Sequence, residues 1–291
     1  MRVPKIGVVV VAQNDAETIE RSVGSYYQHV EAILLSTDPS RGWTGAPITS
    51  DGTVDLVRAL DREGKLTVAA GDHYKTPDPS LNDTLQRQDA VDRLAKLRPD
   101  LDWILQIDAD EVFFHFPNLI ERLAALPSRT RAVAWWWVSA FQRTEDGRLL
   151  VVTDYEGRPM PEYFPTGHRP PAKLESCRAI HHRVKSPFLR KVLKLDYVPP
   201  LDRNAFGPYQ AVLHLSFAKS ERRIREKLST YTHSNQIDRN RLLETWLAAP
   251  TEWESIRDFH PLTPTRWPAL RPFSEAELAA YDGPFGRPYR G

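Results

Sequence analysis

Residues 6–12, IGVVVVA, form an unbroken apolar run of strand length, and a strand that is apolar on both faces has to be covered on both. That demand points to a parallel sheet flanked by helices, and the first half of the chain supplies the pieces. Asn14 or Asp15 offers a helix N-cap, and Ile19, Val23, Tyr26, Tyr27 and Val30 follow at helical spacing. Residues 32–36 (AILLS) read as a second strand. The turn TSDG at 49–52 opens a short helix carrying Val54, Val57 and Leu60, and residues 65–70 read as a third strand. Leu81, Leu85, Leu94 and Leu97 mark the next helix, which Pro99 closes. Residues 103–107 (WILQI) give a fourth strand, 118–126 a short helix and 132–138 another strand.

Beyond Thr144 the pattern loosens. Residues 157–171 carry five prolines and read as an ordered loop or lid. A basic helix is expected over 219–234, and the six prolines from Pro261 onward suggest an extended tail wrapping the body.

The chain has 291 residues, with 39 Lys and Arg against 38 Asp and Glu. A net charge of +1 gives no reason to expect a nucleic-acid binder. No apolar run approaches the ~18 residues of a spanning helix, and the N-terminus lacks a signal-peptide cleavage pattern. Cys177 is the only cysteine, which excludes an internal disulfide and a cysteine zinc site. A cytoplasmic enzyme is expected, with peripheral contact at the inner membrane face kept open. The neutral total hides a polarity. Acidic residues outnumber basic ones 25 to 19 over residues 1–172, whereas basic residues lead 15 to 6 over 173–241. A second half folding over an anionic ligand, or touching an anionic surface, would be charged in this way.

The chemistry concentrates in DWILQIDADEVFF at residues 102–114. Asp108 and Asp110 sit where a buried strand ends, the edge at which open α/β sheets bind their ligands. Two carboxylates turned toward one point suit a hard cation such as Mg²⁺ or Mn²⁺, with a substrate diphosphate completing its shell. A solvated acidic turn is the plain alternative. Trp135, Trp136 and Trp137 follow one element later; on a strand they alternate between faces, so they serve as core or as a stacking surface.

The segment DWILQIDADEVF resembles the metal-binding segment of family 2 glycosyltransferases, especially the bacterial branch that includes lipopolysaccharide-core enzymes with D-W-x-L-x-x-D-A-D-E. Further matches arrive in order over residues 5–235. VVVVAQNDAETI resembles the family's first strand and following turn, which implies that Ala12, Gln13 and Asn14 hold the nucleotide. LLSTD places Asp38 where the family has an acidic residue on the base. Ser50-Asp51-Gly52-Thr53 resembles the S-T-D-G-T helix start, with residues 39–49 as an insertion. Arg87, in LQRQ, stands at the basic position near the sugar nucleotide, and Gln88 replaces the usual Asn. AVLHLSFAKSERRIREKLSTY resembles the apolar strand, histidine and basic helix that follow, which implies His214 as the third metal ligand and Lys219 as a cation for the diphosphate.

The resemblance implies the GT-A fold, an α/β architecture with a mainly parallel sheet. Residues 1–140 would bind the nucleotide sugar, 141–241 would complete the domain on the acceptor side, and 242–291 would form a proline-rich extension. It implies a Mn²⁺- or Mg²⁺-dependent transfer from a nucleotide-diphosphate sugar, most commonly a UDP-sugar, with inversion. The acceptor would be a saccharide, a lipid-linked glycan or a natural product. Relatives carry V-H-E where this chain reads IHHRV, so His182 becomes a candidate general base, with Glu175, Asp154, Glu156 and Glu162 as alternatives. Two rivals remain. Asp108-Ala109-Asp110-Glu111-Val112 also fits the signature of haloacid-dehalogenase-like phosphotransferases, and the chain could instead be a non-catalytic carbohydrate-binding protein.

Overall fold

The computed structural model describes residues 2–128, 130–180, 211–230, 232, 233 and 235–280. The valine-rich run is β1 (Ile6–Val11), buried along its whole length. It pairs in parallel with β2 (Ala32–Thr37) on one side and β4 (Trp103–Asp108) on the other, and β3 (Leu66–Ala70) adds beyond β2. The order β3-β2-β1-β4 means that the chain winds outward from β1 and then returns to its opposite flank. Connections diverge at such a reversal, so a crevice opens beyond the carboxyl ends of β1 and β4.

Helices cover both faces, as the apolar strands require. Ile19 and Val23 of α1 (Ile19–Gly24), Val57 of α2 (Thr53–Leu60) and Leu119 of α4 (Phe116–Ala125) pack with Ile6, Val8 and Val10. Val9 and Val11 point the other way, against Ala90, Val91 and Leu94 of α3 (Pro79–Leu97). Gly52 stands at φ +88° just before α2, a conformation that glycine adopts without strain. Asp51 accepts from the Thr53 amide and the Ala16 amide, which ties the start of α2 to the turn after β1.

The leucine spacing on α3 identifies the helix but not its inward face. Leu81, Leu85 and Leu97 are exposed, and of the four marked leucines only Leu94 is buried. The first two turns instead bury Asn82, Asp83, Gln86 and Arg87. That end of the helix overhangs the crevice. Its polar groups are satisfied there: Asn82 donates to the Trp43 carbonyl, and Gln86 accepts from the Trp43 indole and donates to Ser36.

The second half extends the same sheet. β8 (Pro161–His168) pairs antiparallel with β4 and with β6 (Ala132–Arg143), and the order continues through β7 (Leu149–Thr153) to β12 (Ala269–Phe273). Residues 157–171, expected as a loop or lid, therefore include a strand inside the sheet. Its prolines are tolerated because β4 reaches it only at Gly167 and His168, and Pro165 sits beside a register shift at Val133 and Ala134. A Cβ on Gly167 would lie 3.1 Å from the Ile104 carbonyl oxygen, so this approach of strands needs glycine. The proline-rich tail supplies β12 as the edge strand, where Pro272 belongs.

Between β4 and β6 lies β5 (Glu111–Phe113), antiparallel to β11 (Ala211–His214), which in turn runs parallel to β6. This pairing lays His214 opposite Glu111 and beside Ser139. α5 (Glu221–Thr230) follows within the expected basic stretch, and α6 (Arg239–Glu252) sends the Trp246 indole to the carbonyls of Phe141 and Phe217. A hairpin of β9 (Leu174–Ser176) and β10 (Ala179–Ile180) packs on α3, and α7 (Glu275–Ala280) ends the described chain. No helix among the described residues is long and apolar enough to cross a membrane.

His168 is 1% exposed, and burial pushes its imidazole down to about 4. The unfolded chain therefore binds a proton at higher pH than the folded one, so His168 costs nothing above about 6.5 and destabilises progressively as pH falls toward 4. We expect chemical denaturation of His168→Leu to show a flatter loss of stability between pH 6.5 and 4, the difference reaching about 3 kcal/mol at the acid end.

Candidate active site

The crevice at the strand reversal is a cavity of about 540 Å³, within the usual range for small-molecule sites. Its floor is the end of β1 and of β4, with Val11 registered beside Asp108. Asp108 gives one carboxylate oxygen to Arg87 Nη2 at 2.8 Å and the other to Arg178. Arg87 also spans to Asp83 at 2.7 Å. Burial alone would raise the Asp108 carboxyl, but the two guanidinium groups outweigh it and hold it down at about 2.

Asp110 lies across the turn and meets a second set of cations. Lys219 Nζ stands 2.9 Å from its Oδ2 and Lys227 Nζ 3.3 Å, while His214 Nε2 is 3.4 Å from Oδ1. Burial again opposes ionisation, and the lysines and His214 hold this carboxyl well below the usual range. Lys219 is shared with Asp15 at 2.8 Å, which keeps it charged despite burial. Burial instead lowers Lys227, which also donates to Ser216.

Glu111 is fully buried and turns inward rather than toward the cavity. Arg178 grips it with both arms, Nη1 to Oε2 at 3.1 Å and Nη2 to Oε1 at 2.8 Å, and Glu111 accepts from the Asp108 amide. Arg178 thus joins the two carboxylates, while its guanidinium lies 5.1 Å from the Phe164 ring centre and 5.7 Å from that of Trp137. Trp137 stacks on Phe164 and packs at a tilt against His214, each at 4.3 Å between ring centres. Of the three tryptophans, Trp135 belongs to the core and Trp137 lines the cavity.

The sequence-derived residues divide. Ala12, Gln13, Arg87, Asp108, Asp110, His214 and Lys219 all line the cavity. Asn14 does not: it is buried, with its amide donating to the Thr49 carbonyl and to Glu226, so it pins α5 over the first turn. Asp38 does not either. Its carboxylate accepts from the amides of Ser40, Arg41 and His73, which hold it low and commit it to folding the 39–49 segment. Glu175 lies on β9, where successive side chains alternate; its neighbour Ser176 faces the cavity, and Glu175 lines a separate groove with Leu81 and Leu85. His182 lies outside the described residues.

Sequence reasoning missed Arg178 and Lys227 as partners at one site, and left Glu162 as one of several alternatives. Only the excess of basic residues over 173–241 signalled the first two. The cavity is also lined by Glu162 of β8 and by His260, Arg266 and Trp267 from the segment before β12. His260 accepts at Nδ1 from the amides of Leu262 and Thr263, and burial lowers it to about 4, so it is neutral. Cys177 also lines the cavity, its thiol pushed up to about 12 by burial and so held protonated.

Among the described residues no group of three or more His, Cys, Asp or Glu side chains is arranged to hold a metal ion. A pair is present. Asp110 Oδ1 and His214 Nε2, 3.4 Å apart, have the separation of neighbouring ligands on one cation bound at roughly 2.1 Å from each. The Asp108 oxygens, partly exposed, are both taken by arginines, Arg87 and Arg178.

No protein-family model matches the chain, and no curated protein matches it in sequence. Among solved structures, S. aureus TarS matches at 12% identity with a TM-score of 0.27, over 48% of this chain and 22% of that one. Glucosyl-3-phosphoglycerate synthase from Mycobacterium tuberculosis, in complex with Mn²⁺, uridine diphosphate and phosphoglyceric acid, matches at 16% identity with a TM-score of 0.29, over 49% of this chain and 45% of that one. The chain thus spans less than half the length of either. The protein's own geometry defines its class: a mixed α/β protein with a charged small-molecule crevice at the strand reversal.

Truncating Arg178 leaves Glu111 buried and without its cation. Arg178→Met is expected to lower unfolding free energy by about 3–5 kcal/mol in denaturant titrations, and Arg178→Met with Glu111→Gln to recover part of that loss.

Proposed function

We propose that this protein is a glycosyltransferase of the GT-A fold, similar to the bacterial family 2 enzymes, that moves a sugar from a nucleotide diphosphate to an acceptor hydroxyl with inversion. One observation carries the reading. Two carboxylates at the end of β4 are ringed by Arg87, Arg178, Lys219 and Lys227 inside one crevice, an arrangement of fixed cations suited to a diphosphate.

In this reading Gln13 and Trp43, which line the cavity, lie against the nucleoside. Arg87 and Lys219 face the diphosphate, their positions fixed beforehand by Asp83, Asp108, Asp15 and Asp110. Asp110 and His214 would hold Mn²⁺ or Mg²⁺, with Asp108 keeping Arg87 and Arg178 beside them. When bound, that ion neutralises charge gathering on the departing nucleoside diphosphate. Trp137 and Phe164 wall the space next to it and exclude water from the reacting bond. The acceptor hydroxyl enters from the end lined by Glu162, His260 and Arg266 and attacks the anomeric carbon opposite the leaving group, which inverts it. A UDP-sugar is the expected donor, and a saccharide, lipid-linked or natural-product hydroxyl the acceptor. The proposed setting is the cytoplasm, including the inner membrane face.

A thermal-shift panel of UDP, GDP and dTDP with their sugars, with and without Mn²⁺, tests this. A ligand at 100 times its dissociation constant should stabilise the protein by about 2.7 kcal/mol. Asp110→Ala should abolish the Mn²⁺-dependent part of that gain. Absence of any nucleotide effect on the wild type would overturn the proposal.

A further inference from the structure

We infer that Glu162 is the catalytic base that deprotonates the acceptor, an assignment that rests on the glycosyltransferase reading. Four carboxylates between β7 and β10 were open to this role from the sequence, and geometry separates them. Asp154 accepts from the amides of Glu156 and Arg158 and pairs with Arg158, closing its own turn. Glu156 stands in that turn, paired with the same arginine. Glu175 faces the separate groove on α3. Glu162 alone of the four lines the cavity.

Its surroundings hold it in one place. Oε1 accepts from the Trp267 indole at 2.8 Å and from Ser139 Oγ at 3.2 Å, and Oε2 pairs with Arg266 at 2.8 Å. A carboxylate has about four acceptor positions, so these three bonds leave one on Oε2 for a substrate hydroxyl. The side chain is only 10% exposed, which shields the hydroxyl it would receive from competing water.

Register fixes where it stands relative to the donor. Glu162 pairs with Trp137 across β8 and β6, and Ser139, two residues along β6, pairs with His214 on β11. Two strand spacings therefore separate Glu162 from His214, roughly 10 Å between strand axes. That interval accommodates a pyranose ring with its anomeric carbon facing Glu162 and its diphosphate facing His214 and Asp110. Ser139 links the two ends directly, bonded to Glu162 and registered beside His214.

In the step, Oε2 of Glu162 takes the hydroxyl proton while the acceptor oxygen bonds to the anomeric carbon. The bond from that carbon to the diphosphate oxygen breaks, and its electron pair leaves on the nucleoside diphosphate. With water as acceptor the same residue activates the water. An anionic nucleophile such as azide needs no deprotonation.

The test uses Glu162→Gln and Glu162→Ala with UDP-sugars and water as acceptor, reading UDP release, and with sodium azide, reading glycosyl azide. Both variants should keep the donor-induced thermal shift and lose at least ~100-fold in UDP release. Azide should restore UDP release in Glu162→Ala, as glycosyl azide, and leave Glu162→Gln slow, because only the truncation makes room for it. Wild-type turnover in Glu162→Gln, or loss without azide rescue in Glu162→Ala, overturns the assignment while leaving the glycosyltransferase reading intact. Absence of UDP release and of nucleotide binding in the wild type overturns that reading and this assignment with it.

Discussion

Asp110 and Glu111 are taken out of water just beyond β4 and Asp108 is partly buried beside them, and the rest of the molecule is organised around paying that cost. A buried ion without a partner costs several kcal/mol, so the cations that neutralise these three cannot be optional. They come from four separate elements: Arg87 from α3, Arg178 from the β9–β10 hairpin, Lys219 from the turn before α5 and Lys227 from α5 itself. Each ion pair therefore also docks a segment. The hairpin is drawn against α3 and the sheet, and α5 is drawn over the first turn, where Asn14 and Glu226 meet.

The sheet divides the labour. Its parallel half, β3-β2-β1-β4, makes the reversal at which the crevice opens. Its antiparallel half adds β8, β6 and β11, which carry Glu162, Trp137 and His214 on neighbouring strands. Side chains on adjacent strands keep fixed separations, whereas those on loops do not. Placing the cavity's side chains on strands holds them in a rigid arrangement.

Much of this was legible in the chain. Strands buried on both faces need continuous apolar runs, so β1, β2 and β4 announce themselves, and an acidic cluster directly after such a run marks the site. Legibility failed where a residue answers to a distant neighbour. The α3 leucines have helical spacing but face solvent, because the helix overhangs a polar crevice and turns Asn82, Gln86 and Arg87 inward. The prolines of 161–168 suggest a loop, yet β4 pairs with this strand only at Gly167 and His168, and Pro165 stands beside a register shift on β6. Asp38 and Asn14 have the residue types of ligand contacts, but nearby amides and carbonyls consume them.

By itself the sequence determined the α/β class, the direction of the first four strands and the acidic cluster at the end of the fourth, because each depends on burial pattern within a few residues. It also held the charge imbalance between the two halves. Only the tertiary structure decided which cation meets which carboxylate, that Asp108 answers to two arginines while Asp110 faces His214, and that Glu162 rather than Glu175 looks into the cavity. Those outcomes turn on strand register and on side-chain alternation, where a shift of one residue reverses the face. Local composition carries no record of register.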